Sequence, residues 1–309
     1  MEFLQIGSNG PLVSRICFGC AGIGGYDYGE VHDATSIKAI HRAVDLGVNI
    51  FDVADVYGFG RAENVLKSAL GKKLRDLTIA TKFGVGWDSE FKTYKDISES
   101  HLRKSLEGSL SRLGCDTIPI YQLHWPDGKT PLSDSIGIME ELRTEGKIQS
   151  LGVCNLNIDE LTTCQNTANI STIQLPFSLA ERQNEECMKR ATAQKTDTLV
   201  YNAIAHGLFS GKIDRSSKFT GTDMRSRIKL FKGDEFDRVL NITHRVRVIS
   251  EKIGKSCAQV AINYLLSLDH VGVVIVGTKK PEQIEDSVGA VGWSLDAESI
   301  TFLEGKDLK

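Results

Sequence analysis

Short runs rich in Val, Ile and Thr alternate along this chain with longer stretches in which apolar residues recur every three or four positions. The first pattern reads as strands and the second as amphipathic helices. The clearest helix covers 97–113, where Leu102, Leu106, Leu110 and Leu113 form one stripe and Asp96 with Glu99 supplies a capped start. Ile37, Ile40, Ala43 and Val44 mark another over 34–46. Further helices are predicted near 62–70, 132–145, from 158, and near 183–194, 236–252, 256–268, 281–288 and 296–304. Strands fall between them at 15–18, 49–52, 77–82, 118–123, a run ending at Gly152-Val153, 172–174, 198–201 and 271–276.

Strands alternating with helices in this way predict an α/β fold, a (β/α)8 TIM barrel, with residues 1–309 as one domain. Phe3-Leu4-Gln5 with Val13 predicts an N-terminal β-hairpin plugging the barrel floor. A long polar insert, 207–235, interrupts the alternation. The rival architecture, an open doubly wound sheet, requires a G-x-G-x-x-G turn after its first strand. Glycines 19, 22, 24 and 25 do not have that spacing.

Composition narrows the class. With 309 residues, 41% of them hydrophobic, the chain is long enough to bury about three quarters of its unfolded surface without a disulfide or metal. The net charge is −3 with no long basic run, which argues against a nucleic-acid partner. The strongest basic cluster, Arg225, Arg227, Lys229 and Lys232, leaves room for one local anion site. The N-terminal segment lacks a basic leader and an apolar core, and no apolar stretch approaches the ~20 residues of a membrane helix. Seven scattered cysteines fit a reducing compartment, so a cytoplasmic protein with no membrane partner is expected. Cys17-x-x-Cys20 has no second pair at zinc spacing and reads as buried structural thiols, so no metal site is expected.

Candidate chemistry lies at the ends of three successive predicted strands. Asp52 closes one, with Tyr57 five residues on; Lys82 and His124 close the next two. Taken singly, Asp52, Tyr57 and Lys82 are a turn residue, a half-buried aromatic and a snorkelling lysine. In a parallel barrel all four side chains meet at one face. A phenol is a weak acid at neutral pH, a neighbouring ammonium stabilises its phenolate, and a carboxylate holds that ammonium in place. An imidazole beside the phenol shares its proton or orients a substrate oxygen. The set makes a general acid suited to protonating a carbonyl oxygen as hydride reaches its carbon.

At these residues the chain resembles the aldo-keto reductase superfamily. The resemblance is carried by 51–58 (FDVADVYG), 80–84 (ATKFG) and 121–127 (YQLHWPD), and continues in order through 152–155, 174–178, 207–212 and 277–281. The details are most similar to the bacterial general-stress reductases and the potassium-channel β subunits. The resemblance implies a nicotinamide cofactor bound in extended form at the barrel top, with Tyr57 as acid–base, Lys82 and Asp52 beneath it and His124 beside it. It implies that Asn155 and Gln174 hold the nicotinamide carboxamide and that Tyr201 stacks on the ring. Gly207, Leu208 and Lys212 would take the pyrophosphate, Gly19, Cys20, Cys154 and Gly277 would line the cofactor, and Thr278, Lys279, Gln283 and Asp286 would hold the adenosine end.

The chain departs from the family pattern at Cys154, where serine is usual, and at His206, which replaces a common arginine. Gln283 stands where some branches place an arginine on the 2′-phosphate, and Ser287 where asparagine is frequent. Lys279, Arg225 and Arg227 remain to bind that phosphate, which favours NADP(H) over NAD(H). The resemblance thus implies reduction of a small-molecule aldehyde or ketone. An NAD-linked sugar dehydrogenase and a cofactor-binding regulatory subunit with little turnover are the alternatives. Loops near 20–30, 84–95 and 207–235 are expected to shape the pocket, and the short tail ending at Lys309 to add little. The oligomeric state is left open.

Overall fold

The computed structural model describes residues 1–26, 31–219 and 223–306; residues 27–30 of the first pocket loop, 220–222 of the insert and the tail from 307 to Lys309 lie outside the described residues. Two short strands, β1 (Phe3–Gln5) and β2 (Leu12–Ser14), pair antiparallel with Leu4 opposite Val13. Then come β3 (Ile16–Gly19), α1 (Ala21–Gly24), α2 (Asp33–Asp45), β4 (Ile50–Asp52) and α3 (Arg61–Leu70). They are followed by β5 (Thr78–Phe83), a hairpin of β6 (Val85–Trp87) and β7 (Thr93–Lys95), α4 (Glu99–Leu113), β8 (Ile118–Leu123) and α5 (Leu132–Thr144). The next pairs are β9 (Ile148–Cys154) with α6 (Ile158–Thr167) and β10 (Ile170–Pro176) with α7 (Glu185–Ala193). After β11 (Asp197–Tyr201) the insert folds as short 3-10 turns at Ala205–Ser210, Met224–Ser226 and Lys229–Phe231. It ends in α8 (Gly233–Ile253), and α9 (Cys257–Leu266), β12 (Val273–Gly277), α10 (Pro281–Val288) and α11 (Ala297–Glu304) follow.

Strands β3, β4, β5, β8, β9, β10, β11 and β12 close into one parallel barrel, β12 returning to β3 with Val274 opposite Ile16 and Gly277 opposite Gly19. The predicted (β/α)8 barrel and its N-terminal hairpin are therefore present. Side chains alternate in and out along each strand. Phe18, Phe51, Ile79, Tyr121, Val153, Ile173, Val200 and Val274 join the core shared with the helices. Their neighbours Cys17, Ile50, Ala80, Ile120, Leu199 and Val273 form an inner cluster with Ile6 and Val13, with Leu4 packed against it. The hairpin thus seals the floor.

Two positions further along the strands, the same inward face turns polar. Ile50 gives way to Asp52, Ala80 to Lys82, Ile120 to Gln122, Thr172 to Gln174 and Leu199 to Tyr201. The interior is narrow at this level. A Cβ on Gly152 would strike the Thr172 hydroxyl and come within 2.8 Å of Gln122 Cγ.

Two readings need correction. The N-cap of α4 is Ser98, whose hydroxyl accepts from the His101 N–H; Asp96 accepts from the Ser98 N–H and stands before the helix. The segment 84–95 is the β6–β7 hairpin rather than an open loop, with the Tyr94 ring lying on Gly86, where a Cβ would sit 2.6 Å from it. All seven cysteines are free, and burial pushes the Cys17 and Cys20 thiols well up. Among the described residues no helix is long and apolar enough to cross a membrane.

Candidate active site

The polar layer converges on one ammonium. Lys82 Nζ donates to Asp52 Oδ1 at 2.7 Å, to the Val53 carbonyl at 2.9 Å and to the Tyr57 hydroxyl at 3.3 Å. An ammonium has three N–H bonds, and here each has an acceptor. The Tyr57 oxygen therefore accepts from the lysine, and its own proton points elsewhere. Asp52 Oδ1 also accepts from Gln174 Nε2 at 2.6 Å, a bond that crosses the barrel from β10 to β4. The His124 ring stands edge-on to Tyr57, with centroids 5.9 Å apart. The four strand-end residues of the sequence reading thus meet at one place.

Electrostatics separates their roles. Burial pulls the Lys82 ammonium down, but Asp52 and Tyr57 outweigh it and hold it well above the ordinary lysine value. Burial, then Lys82, then Lys95 push His124 well below the ordinary histidine value, so its ring is neutral. Its Nδ1 is buried with no hydrogen-bond partner. The lysine thus stays charged beside the Tyr57 oxygen, and the imidazole next to it stays neutral.

The loop bearing Tyr57 is held from two sides. Gly58 has φ 62°, and a Cβ there would run into the Gly24 carbonyl, so α1 lies directly on the loop. On the other side is a buried acidic pair, Asp55 and Glu63, whose local sequence positions suggest no more than a turn residue and a helix-start acid. Glu63 accepts from Thr81 Oγ1 at 2.7 Å and from Arg112 Nε at 2.6 Å. Asp55 accepts from the Val56 N–H at 2.7 Å, and its carbonyl accepts from Gly60 N–H at 2.7 Å. Burial and the Glu63 charge raise the Asp55 carboxyl from 3.8 to about 7, against the pull of Arg112.

A pH effect follows. In the unfolded chain Asp55 loses its proton near its ordinary value, whereas the folded protein keeps it to about 7. The contribution is complete at low pH and is lost as the pH rises through about 7. Between about pH 4 and about pH 7 the native protein should therefore lose stability relative to Asp55→Asn, which carries no such proton. Thermal denaturation of both proteins across that range is the check. A melting-temperature difference that does not change with pH would rule out the titration.

The residues implied for the cofactor fall into three groups. Near the acid, Gln174 bonds Asp52 and accepts from the Cys154 thiol at 3.9 Å, so both ends of its amide are engaged. Asn155, at φ 59°, donates to the His124 carbonyl at 3.0 Å and accepts from the Tyr201 hydroxyl at 2.8 Å, tying three strand ends together. Gly19 pairs with Gly277 where β3 meets β12, and the Cys20 N–H donates to the Asp52 carbonyl at 2.8 Å. On the insert, Gly207 has φ 95°, Leu208 is buried and Lys212 is exposed. At the far rim Arg225 holds Asp223 at 2.6 Å and lies over the Phe219 ring at 4.3 Å, while Arg227 sits on the same turn.

The far rim has one more side. Thr278 is buried, Gln283 accepts from the Lys279 and Lys280 N–H groups, and Asp286 lies on α10. Burial and Arg225 both lower the Lys279 ammonium, and Asp223 opposes them, so these three charges share one corner. Burial and then Arg225 push His206 down to about 4. A Cβ on Gly277 would meet nothing within 4 Å, and one on Gly22 would sit 3.2 Å from the Lys279 stem. The open space at Gly277 and the Arg225 and Lys279 cations are features that a dinucleotide's phosphates could use. Among the described residues no group of three or more His, Cys, Asp or Glu is placed to hold a metal ion.

The sequence reading missed Gln122, whose amide is buried without a partner on the inward face. It also missed the Val53 carbonyl and the Asp55–Glu63–Arg112 group. Period-two alternation from Lys82 and Ile120 would have found Gln122; the other two have no local signal.

A closed parallel barrel with a lysine-held tyrosine at its top face is a frame suited to proton transfer at a carbonyl or alcohol. Residues 15–307 match the model of the Aldo/keto reductase family, and the chain belongs to that family. It is 32% identical over 302 residues to aldo-keto reductase YhdN of Bacillus subtilis, covering 96% of this chain and 91% of that protein. It is 25% identical over 319 residues to the NADH-specific methylglyoxal reductase of Escherichia coli, covering 98% and 97%. The solved glycerol dehydrogenase AKR11B4 from Gluconobacter oxydans superposes with a TM-score of 0.91 at 33% identity, over 98% of this chain and 94% of that one.

Proposed function

We propose that this enzyme, working as one barrel domain, reduces an aldehyde or ketone to an alcohol with NADPH, Tyr57 being the general acid. The observation that carries this reading is the Lys82 ammonium, fully hydrogen-bonded to Asp52, Val53 and the Tyr57 oxygen. When bound, the reduced nicotinamide supplies the hydride. Tyr57 gives its proton to the carbonyl oxygen, and the Lys82 charge stabilises the phenolate left behind. Asp52 keeps that ammonium charged and in place. Neutral His124 orients the substrate oxygen without competing as an acid. In the oxidative direction the Tyr57 phenolate takes the proton back.

The test follows loss of reduced-nicotinamide absorbance with NADPH and with NADH over a panel of aldehydes, ketones and sugars. Turnover of carbonyls with NADPH is expected. No turnover of any carbonyl with either nucleotide would defeat the reading.

Lys279 and Arg225 support the choice of NADPH, because the 2′-phosphate needs cationic partners. Lys279→Met is expected to raise the KM for NADPH ~10-fold, the equivalent of ~1.4 kcal/mol, and that for NADH by less than ~2-fold. Equal changes in both would refute the assignment. A second reading, an NAD-linked alcohol or sugar dehydrogenase, is favoured by Asp223, which engages the Arg225 guanidinium through both carboxylate oxygens. The E. coli relative is NADH-specific and the Gluconobacter relative is a glycerol dehydrogenase. The same comparison of nucleotides decides between the two.

A further inference from the structure

The β6–β7 hairpin stands beside the acid and is built of aromatics. Phe59, two residues after Tyr57, packs on Trp87 at 5.7 Å, on Phe91 at 4.8 Å and on Tyr26 at 5.0 Å between ring centroids. On the other side Lys95, the last residue of β7, places its ammonium 4.8 Å from the centroid of the Trp125 ring. Trp125 in turn lies 6.4 Å from the His124 ring. The hairpin is thus bracketed by neighbours of both Tyr57 and His124.

Among the described residues the carboxylates around the hairpin are committed elsewhere. Asp88 accepts from the Glu90 and Lys92 N–H groups at 2.8 and 2.9 Å, and Glu90 pairs with Lys92 at 2.6 Å. Asp96 accepts from the Ser98 N–H at 2.9 Å. Asp127 accepts from the N–H groups of Ile97, Lys129 and Thr130 and from the Thr130 hydroxyl. Lys95 makes no ion pair among the described residues, and its positive field reaches His124. A cation held on an aromatic face beside the site, with the described acids around it already engaged, is open to an anion.

We propose that Lys95 reads a carboxylate on the substrate, so that the preferred substrates are carbonyl compounds carrying an acid group, with the connecting arm along the Trp125 and Trp87 side of the mouth. One ammonium matches a monoanion; a phosphate dianion calls for several basic partners. The inference rests on the reductase reading above.

The test compares 4-carboxybenzaldehyde with methyl 4-formylbenzoate, a pair of similar shape that differ in charge, the ester being intrinsically the more electrophilic, so that a preference for the acid runs against intrinsic reactivity. For the native enzyme kcat/KM is expected to favour the acid by at least ~10-fold, through KM rather than kcat, and the preference should shrink at high salt. Lys95→Met should abolish the preference, Lys95→Arg should keep most of it, and Lys95→Glu should invert it. Turnover of the ester with no preference for the acid, or a preference that survives Lys95→Met and Lys95→Glu, would overturn the proposal and leave the reductase reading standing. Failure of both aldehydes while other carbonyls of the panel turn over would overturn the proposal alone; failure of the whole panel would defeat both.

Discussion

Tyr57→Phe is expected to lose turnover by at least ~10²-fold while still binding the nicotinamide nucleotide. The substitution removes one oxygen and leaves the ring that packs against the His124 edge. On the proposed mechanism it removes the proton donor, while the Lys82 ammonium, held well above its ordinary value, does not replace it. The proposed nucleotide contacts lie away from the removed oxygen, so fluorescence titration with NADPH should give a Kd within a few-fold of native. Single-turnover rates should fall as far as kcat, because the proton transfer belongs to the chemical step. A variant with near-native single-turnover rates would show that another group delivers the proton.

Lys82→Met should damage both stability and turnover. Lys82 is fully buried and Asp52 nearly so, with side-chain exposures of 0% and 6%. Removing the ammonium leaves the carboxylate buried with the Gln174 amide as its remaining side-chain donor. Losing one partner of such a pair typically costs ~3–5 kcal/mol. Turnover should fall at least ~10²-fold, because the phenolate loses its cation. The double variant Asp52→Asn, Lys82→Met removes the stranded charge and should recover most of the stability and none of the turnover. Denaturant unfolding of the three proteins checks this. A single variant as stable as native, or a double variant no more stable than the single, would show that the buried charge is not what Lys82 compensates.

How far the sequence reaches is clearest at particular residues. Helix α10 was legible end to end over 281–288, because Pro281 starts it and its apolar period is regular. Helix α4 was legible along its length but not at its cap, because Asp96 and Ser98 are both capping residues and only backbone geometry chooses Ser98. The β6–β7 hairpin gave no signal: each strand has three residues, and Thr93, Tyr94 and Lys95 are all exposed, so no alternation marks them. Glu63 read as a helix-start acid because its partner Arg112 lies 49 residues away on another helix.

The chain's local pattern determined which residues stand at strand ends and that the strands are parallel and helix-linked, since those properties follow from period and turn chemistry over a few neighbours. It thereby determined that an acid, a phenol, an amine and an imidazole share one face. Only closure of the barrel decided how they connect. Gln174 reaches Asp52 across 122 residues, and Lys82 finds three acceptors, because strands distant in the chain are forced to within hydrogen-bonding distance around a narrow interior. Contacts of that kind depend on burial and on the excluded alternatives of a packed space, and no stretch of sequence carries them alone.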